Sequence, residues 1–328
     1  MEMRALGKTG LRVSVIGLGM AALGRPGYIN LGHGEDMRGE ISPASMQARA
    51  HALLDQAWDA GIRYFDAARS YGRGEEFLGA WLRSRGVEMG AVVVGSKWGY
   101  TYTAGWQVEA EQHEVKEHAL PVLQRQWRES SEQLAPYLRL YQIHSATFES
   151  GVLTRVEVLE ELARLKAGGI WIGLSLSGAT QAAVLEAALG VQVDGVALFD
   201  AVQVTWNLLE PSCGPVLPAA HQAGLGVIVK EAVANGRLTP RSQEAKVQAA
   251  LTPIAQAHGV TVDAIALAAA IAQPWAAVVL SGAATPQQLE ANLAATRVCL
   301  AAQEMERLAA LAEPPAKYWD TRSRLAWN

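Results

Sequence analysis

Asp66, Tyr71, Lys97 and His144 are the side chains in this sequence best suited to acid–base chemistry at one shared site. Asp66 follows Arg63-Tyr-Phe, and Tyr71 lies just beyond it on a loop that Gly72 and Gly74 keep open. Lys97 follows the run Val-Val-Val-Gly-Ser, and His144 ends Leu-Arg-Leu-Tyr-Gln-Ile. Singly, each has an ordinary structural reading: a turn or capping aspartate, an aromatic packed on a loop, an exposed lysine, a core histidine. Together they form a coherent set. A carbonyl that receives hydride on carbon must gain a proton on oxygen. A phenol, with a pKa of about 10, is a poor acid or base at neutral pH until its surroundings tune it. A neighbouring ammonium stabilises phenolate and is expected to lower that pKa. A carboxylate would fix the ammonium in place, and a histidine would position the carbonyl by a hydrogen bond.

These positions can meet only if the elements that carry them end on one rim. The chain alternates strands and helices. Strands are expected at Val13–Gly19, Arg63–Ala67, Ala91–Ser96, Leu138–His144, Ile170–Leu176, Ala201–Trp206, Gly226–Val229 and Ala277–Leu280. Several are near-continuous apolar runs, as expected when both faces are covered. Helices are expected at Ser45–Ala60, Glu75–Ser84, Glu117–Leu134, Arg155–Ala167, Thr180–Leu189, Gly214–Ala223, Ser242–His258 with Val262–Ala272, and Pro286–Thr296. In the first of them Met46, Ala50, Leu53, Leu54, Ala57 and Trp58 form one stripe, and Gly61 ends it. Glu75 opens the second, where an acid suits the helix dipole. The pattern predicts an α/β protein, a closed (β/α)8 TIM barrel in a single domain over residues 1–328, with its strand carboxyl ends sharing one face. A short hairpin over Arg4–Val15 precedes it. One extra helix, Ala301–Leu311, and a tail rich in Pro and Trp follow. A doubly wound open sheet fits less well, because Gly17-Leu-Gly19-Met-Ala-Ala22 lacks the third glycine of a dinucleotide-binding turn.

The 328 residues are 50% hydrophobic and 18% charged, enough to bury a sizeable core, with a net charge of −4. No basic surplus points to nucleic acid or an anionic membrane. Cys213 and Cys299 have no metal-ligand spacing, and a reduced, cytoplasmic protein is expected. The apolar tract Ala264–Leu280 contains Gln273 and Pro274 and reads as a buried helix and strand rather than a membrane span. The loop Met20–Ala44 carries His33, Glu35 and Asp36. A solvated loop over the pocket mouth is expected there rather than a metal site.

Several stretches resemble the aldo-keto reductase superfamily. They are Phe-Asp66-Ala-Ala-Arg-Ser-Tyr71-Gly, Gly-Ser-Lys97-Trp-Gly, Tyr-Gln-Ile-His144-Ser, Ile-Gly-Leu-Ser175, Val-Gln203-Val-Thr-Trp-Asn, and Ser281 through Asn292. They occur in the family's order and span about Leu6 to Leu300. The resemblance implies a barrel that binds an extended nicotinamide dinucleotide. It also implies an Asp66–Tyr71–Lys97–His144 tetrad and reversible hydride transfer to a small carbonyl or sugar, without a metal.

It further implies cofactor positions. Gly19, Met20 and Asp66 fall at the nicotinamide end, and Ser175 and Gln203 match residues that hold the carboxamide. Ser281 and Gly282 form the phosphate turn, and Gln288 and Asn292 lie on the adenosine side. Leu176 stands where an asparagine usually follows the serine. Lys230 replaces the aromatic that usually stacks on nicotinamide, so Trp206 is expected to cover that face. NADP(H) is the family default, but Ala283 and Ala284 stand where a Lys or Arg for the 2′-phosphate is usual, so NAD(H) is expected to be usable too. Arg237, Arg241 and Lys246 are the other candidates for that role. Trp98, Tyr100, Tyr102 and Trp106, with Tyr318, Trp319 and Trp327, are candidates to form an aromatic-walled site for a sugar or apolar carbonyl. Arg69, Arg322 and Arg324 could meet an acidic substrate. Two other readings stay open: a cofactor-binding regulatory subunit like the potassium-channel β subunits, and a Schiff-base aldolase using Lys97.

Overall fold

The computed structural model describes all of residues 1–328. Eight parallel strands close into a barrel, neighbours following in chain order: β1 (Ile16–Gly19), β2 (Tyr64–Asp66), β3 (Val93–Trp98), β4 (Leu138–Ala146), β5 (Trp171–Leu176), β6 (Ala201–Thr205), β7 (Gly226–Lys230) and β8 (Ala276–Ser281). The ring closes where β8 meets β1, with Val279 opposite Ile16 and Ser281 opposite Leu18. All six residues of β8 are buried, as a strand packed on both faces requires.

Helices cover the outside for the reasons their sequences suggest. Pro43–Asp59 starts with Ser42 accepting the Ser45 backbone N–H and Pro43 at the first helical position. Its Met46, Ala50, Leu53, Leu54 and Ala57 are buried, and Gly61 follows at a φ of 89°. These stripes and the outer faces of the strands form one apolar shell. A smaller cluster fills the barrel's amino-terminal end, where Leu6 packs with Val13, Val93, Leu140, Ala201 and Ile228. Leu6 sits on the expected hairpin, whose strands are Met3–Ala5 and Arg12–Ser14. The turn lies against β7 so closely that a Cβ on Gly7, at a φ of +56°, would come within 2.3 Å of the Gly224 carbonyl.

The structure departs from the sequence reading in several places. Ser14 breaks the expected first strand: its hydroxyl donates to the Ile16 carbonyl and accepts the Arg63 N–H. Val13 therefore belongs to the hairpin, and β1 begins at Ile16. Lys97 and His144 lie within β3 and β4 rather than past them. The loop after β3 folds into a hairpin, Tyr100–Tyr102 with Glu114–Lys116. The tail contains a second carboxyl-terminal helix, Pro315–Ser323, besides Ala302–Ala309. The loop after β1 is not simply solvated. It holds a short helix, His33–Met37, whose His33 and Met37 are buried. Its His33, Glu35 and Asp36 form no metal-ligand cluster. No single helix is long and apolar enough to cross a membrane.

Leu6 closes the end of the barrel away from the polar rim. Leu6→Ala should therefore cost about 2–5 kcal/mol of stability in urea titrations. Turnover at low temperature should stay near that of the parent. A stability loss below about 1 kcal/mol would show that the site collapses around the smaller side chain.

Candidate active site

At the carboxyl end of the barrel, Asp66 and Lys97 form a buried pair, with Lys97 fully buried and Asp66 2% exposed. Lys97 Nζ donates to Asp66 Oδ2 at 2.5 Å and to the Ala67 carbonyl at 2.8 Å, and lies 3.4 Å from the Tyr71 hydroxyl. Gln203 reaches across the barrel from β6 and donates to Asp66 Oδ1 at 2.8 Å. Glu75 supports β3 from outside by accepting hydrogen bonds from Ser96 and Ser130 and pairing with Arg69. It does more than meet the helix dipole.

His144 is aimed by a bulge. The β4–β5 register slips between Ile143 and Ala146, and Ser145 adopts a φ of 53°. The Ser145 N–H donates to Ser175 Oγ at 2.8 Å, and a His118 ring nitrogen lies 2.9 Å from the His144 carbonyl. The imidazole then meets Tyr71 edge-on, with ring centroids 5.7 Å apart, and Tyr100 at 4.9 Å.

Burial and the Asp66 carboxylate push the Tyr71 phenol well above its usual pKa, with Arg25 opposing them. This reverses the expected lowering. The Lys97 ammonium sits closer to Asp66 than to the phenol, so its charge is largely compensated there. Burial, aided by the Lys97 and Lys230 charges, holds His144 well below its usual pKa and therefore neutral. Lys230 donates to Thr205 Oγ1 at 2.6 Å, and burial lowers its pKa to about 8. Beside it, burial opposes ionisation of Glu231, but Arg322 and Lys230 outweigh it and draw the pKa down to about 2.

Tyr71 and His144 face a cleft that also exposes Gly19, Asp66, Gln203, Lys230, Ser281 and Gly282. At Asn30, Val233 and Gly282 this space adjoins a second, lined by Gln288 and Asn292. Together they make an elongated groove across the rim. Features of the groove suit a dinucleotide. A Cβ on Gly282 would have only the Asn30 amide within 4 Å, at 3.9 Å, so its backbone is open to a ligand. Thr285 caps the helix Pro286–Leu293 by accepting the Gln288 N–H, and Gln287 and Gln288 of its first turn line the groove, so a helix N-terminus, which suits phosphate, borders it. Along the groove, Asn235 Oδ1 and both ring nitrogens of His33 are buried without partners.

The structure brings Asp66, Tyr71, His144 and most expected cofactor positions to this groove, with Lys97 buried just behind Asp66 and with other exceptions. Met20 and Ser175 are buried behind its wall. The Met20 N–H is bonded to the Asp66 carbonyl, and Ser177 rather than Ser175 faces the cleft. Asn292 lies 2.8 Å from Ser281 Oγ. Trp206 does not cover a nicotinamide face: it packs against Trp275, behind the strands. Arg237 is engaged by Glu244 and Glu313, and Lys246 by the Ala310 carbonyl. Of the aromatic candidates only Tyr100 and Trp327 line the cleft, while Trp98 is core. Arg69 is held by Glu75 and Glu129, Arg322 by Glu231, and Arg324 by Asp320. Sequence reading missed Arg25, Tyr28 and Glu114. Arg25 is buried, bonds Glu114 at 2.9 Å and lies over the rings of Tyr28, Tyr71 and Trp327. The contacts joining these loops are tertiary, and local pattern carries no signal of them.

Two outcomes test the electrostatics. Lys97→Met leaves Asp66 buried without its cation and should cost about 3 kcal/mol in chemical denaturation; an unaltered midpoint would mean the pair is not desolvated. For His144, the folded pKa lies below the unfolded value of about 6.5, so the unfolded chain takes up a proton that the folded chain refuses. The associated stability is complete above about pH 6.5 and is lost as the pH falls. His144→Gln should therefore shrink the drop in Tm between about pH 7 and pH 5. An identical drop in both proteins would show that His144 is protonated in the fold.

The same architecture occurs in known proteins. The fold matches an aldo-keto reductase from Bacillus halodurans, solved in its holo form, with a TM-score of 0.73, 21% identity and coverage of 96% of this chain and 97% of that one. In sequence the chain is 26% identical to pyridoxal 4-dehydrogenase of Microbacterium luteolum, over 89% of this chain and 92% of that protein. It is also 26% identical to L-galactose dehydrogenase of Arabidopsis thaliana, over 90% and 88%. The family model for the aldo/keto reductases matches residues 15–313. The chain therefore belongs to the aldo/keto reductase family, whose members are nicotinamide-dependent oxidoreductases.

Proposed function

We propose that this protein interconverts a small aldehyde, ketone or sugar carbonyl and its alcohol, with Tyr71 exchanging the proton on the substrate oxygen. One observation carries the reading. The Tyr71 hydroxyl lies 3.4 Å from Lys97 Nζ, its ring meets His144, and both face the open groove. A phenol held neutral by burial has a proton to donate, which suits carbonyl reduction. Lys97 sits where it can stabilise the phenolate left behind, and Asp66 and Gln203 keep it there. A neutral His144 can donate a hydrogen bond to the carbonyl oxygen and so orient it. The nicotinamide would supply the hydride.

In this reading Gly19, Gln203, Lys230 and Ser177 hold the nicotinamide end, and Asp66 and Ser175 stiffen the wall behind it. Ser281, Gly282 and the N-terminus of Pro286–Leu293 hold the phosphates, and Gln288 and Asn292 the adenosine side. Ala283 and Ala284 supply no cation to reward a 2′-phosphate, so NAD(H) is usable here alongside the family's usual NADP(H). The substrate sits among Tyr28, Tyr100 and Trp327, whose faces suit the apolar side of a sugar or an aromatic aldehyde, with the Arg25–Glu114 pair to meet hydroxyls. Relatives named for pyridoxal, L-galactose and D-threo-aldose support that class. The aldolase reading loses support, because Lys97 has no exposed surface and is bound to Asp66. Turnover against a panel of aldehydes and sugars separates an enzyme from a regulatory subunit.

Tyr71→Phe removes the proton but keeps the ring. It should lower kcat by about 10²- to 10⁴-fold, with dissociation constants for NADH and NADPH nearly unchanged. Turnover close to the parent's would exclude Tyr71 as the acid.

A further inference from the structure

The adenosine end of the groove contains an unexpected carboxylate. Asp36, on the short helix after β1, lines it with Arg241, His33, Ala284 and Gln288. The Arg241 guanidinium grips Asp36 through two nitrogens, at 2.5 and 2.8 Å. Gln288 donates to the same carboxylate at 2.8 Å while its carbonyl accepts the Ala284 N–H. Arg241 also donates to the Leu31 and Gly32 carbonyls. The one arginine that lines this end of the groove is thus committed to Asp36 and the backbone. His33, 1% exposed, lines the same space with both ring nitrogens unpartnered.

We infer that Asp36 selects a cofactor with a free ribose 2′-hydroxyl, so that NAD(H) is preferred, and that Arg241 is a phosphate site held shut by Asp36. The inference rests on reading the groove as a nicotinamide dinucleotide site. An ionised carboxylate only accepts hydrogen bonds, and so does a phosphate with close to two negative charges. A 2′-phosphate placed beside Asp36 meets a like charge. A ribose hydroxyl can instead donate to it, since the three bonds from Arg241 and Gln288 leave a lone pair of the carboxylate free. Ala283 and Ala284 offer a phosphate no side-chain donor. Removing the Asp36 charge leaves the Arg241 guanidinium, a good match for phosphate, next to the same space. Asp36 and Arg241 act here on the adenosine end alone, remote from Tyr71.

The test uses ADP-ribose and 2′-phospho-ADP-ribose, which lack nicotinamide, in equilibrium titrations alongside NADH. The parent protein should bind ADP-ribose about tenfold or more tightly than its 2′-phosphate. Asp36→Ala should move that ratio at least about tenfold toward the phosphorylated probe, and adding Arg241→Ala should abolish the gain. Asp36→Asn keeps the shape of the side chain and should shift the ratio in the same direction, covering the case in which the alanine variant fails to fold. A parent protein that binds the phosphorylated probe as well as ADP-ribose would overturn the inference. So would folded Asp36 variants with an unchanged ratio. If neither probe nor NADH binds the parent protein, the cofactor reading itself falls, and the inference with it.

Discussion

The buried Asp66–Lys97 contact is the constraint on which the rim of the barrel depends. Two full charges with almost no exposed surface carry a large desolvation cost, and their attraction offsets it only with good geometry and further hydrogen bonds. The structure supplies those bonds from separate elements. Lys97 comes from β3, Asp66 from β2 and the Gln203 amide from β6, on the far side of the ring. The pair is a poor source of net stability compared with apolar side chains of similar volume. It does fix where one ammonium points, which is toward the phenol of Tyr71. With burial as the larger cause, Asp66 also makes the phenol harder to ionise, so the same carboxylate orients Lys97 and helps keep Tyr71 protonated.

The loops divide the remaining work. Near the carboxyl end of β4, the bulge at Ser145 turns His144 inward, and Ser175 and His118 hold that bulge by its backbone. After β1, the chain runs over the rim and is tied to the loop beyond β7, where the Leu31 N–H donates to the Asn235 carbonyl and Arg241 holds Asp36. Its other side meets the tail, where Asn328 and Tyr28 exchange backbone hydrogen bonds and Trp327 stacks on His113. Sheet and helices set the position of the acid–base group; these three loops set what can lie beside it.

Much of this was legible in the sequence because it is periodic or local. The eight strands, the stripe on Pro43–Asp59 and the Ser281–Asn292 turn are read from neighbours in the chain, and each was found within a few residues of its place. The acid–base residues were legible because strand ends of a barrel converge. What failed depended on distant partners. Trp206 looked free to cover a ligand, but Trp275 claims it. Ser175 also accepts a hydrogen bond from the kinked strand beside it, a structural duty that its own neighbours in sequence do not announce. The phenol pKa moves up rather than down because burial, and then the Asp66 carboxylate, act on Tyr71, and both depend on tertiary packing. Arg25 and Glu114 meet across two loops whose sequences carry no period at all.

The walls of the groove come from widely separated parts of the chain. Asp36 meets Gln288 across 252 positions, whereas Lys97 and Asp66 are 31 apart. A dinucleotide lying between them would touch the first and last strands of the ring together, at the seam where β8 meets β1. Its binding energy would then be available only to the closed barrel, so ligand concentration enters the folding equilibrium directly. By mass action, a ligand at a hundred times its dissociation constant adds about 2.7 kcal/mol to the folded state. Wherever such a cofactor is abundant, the stability of this barrel would in part be a property of its surroundings, and damage to the seam would be partly masked for as long as the pool lasts.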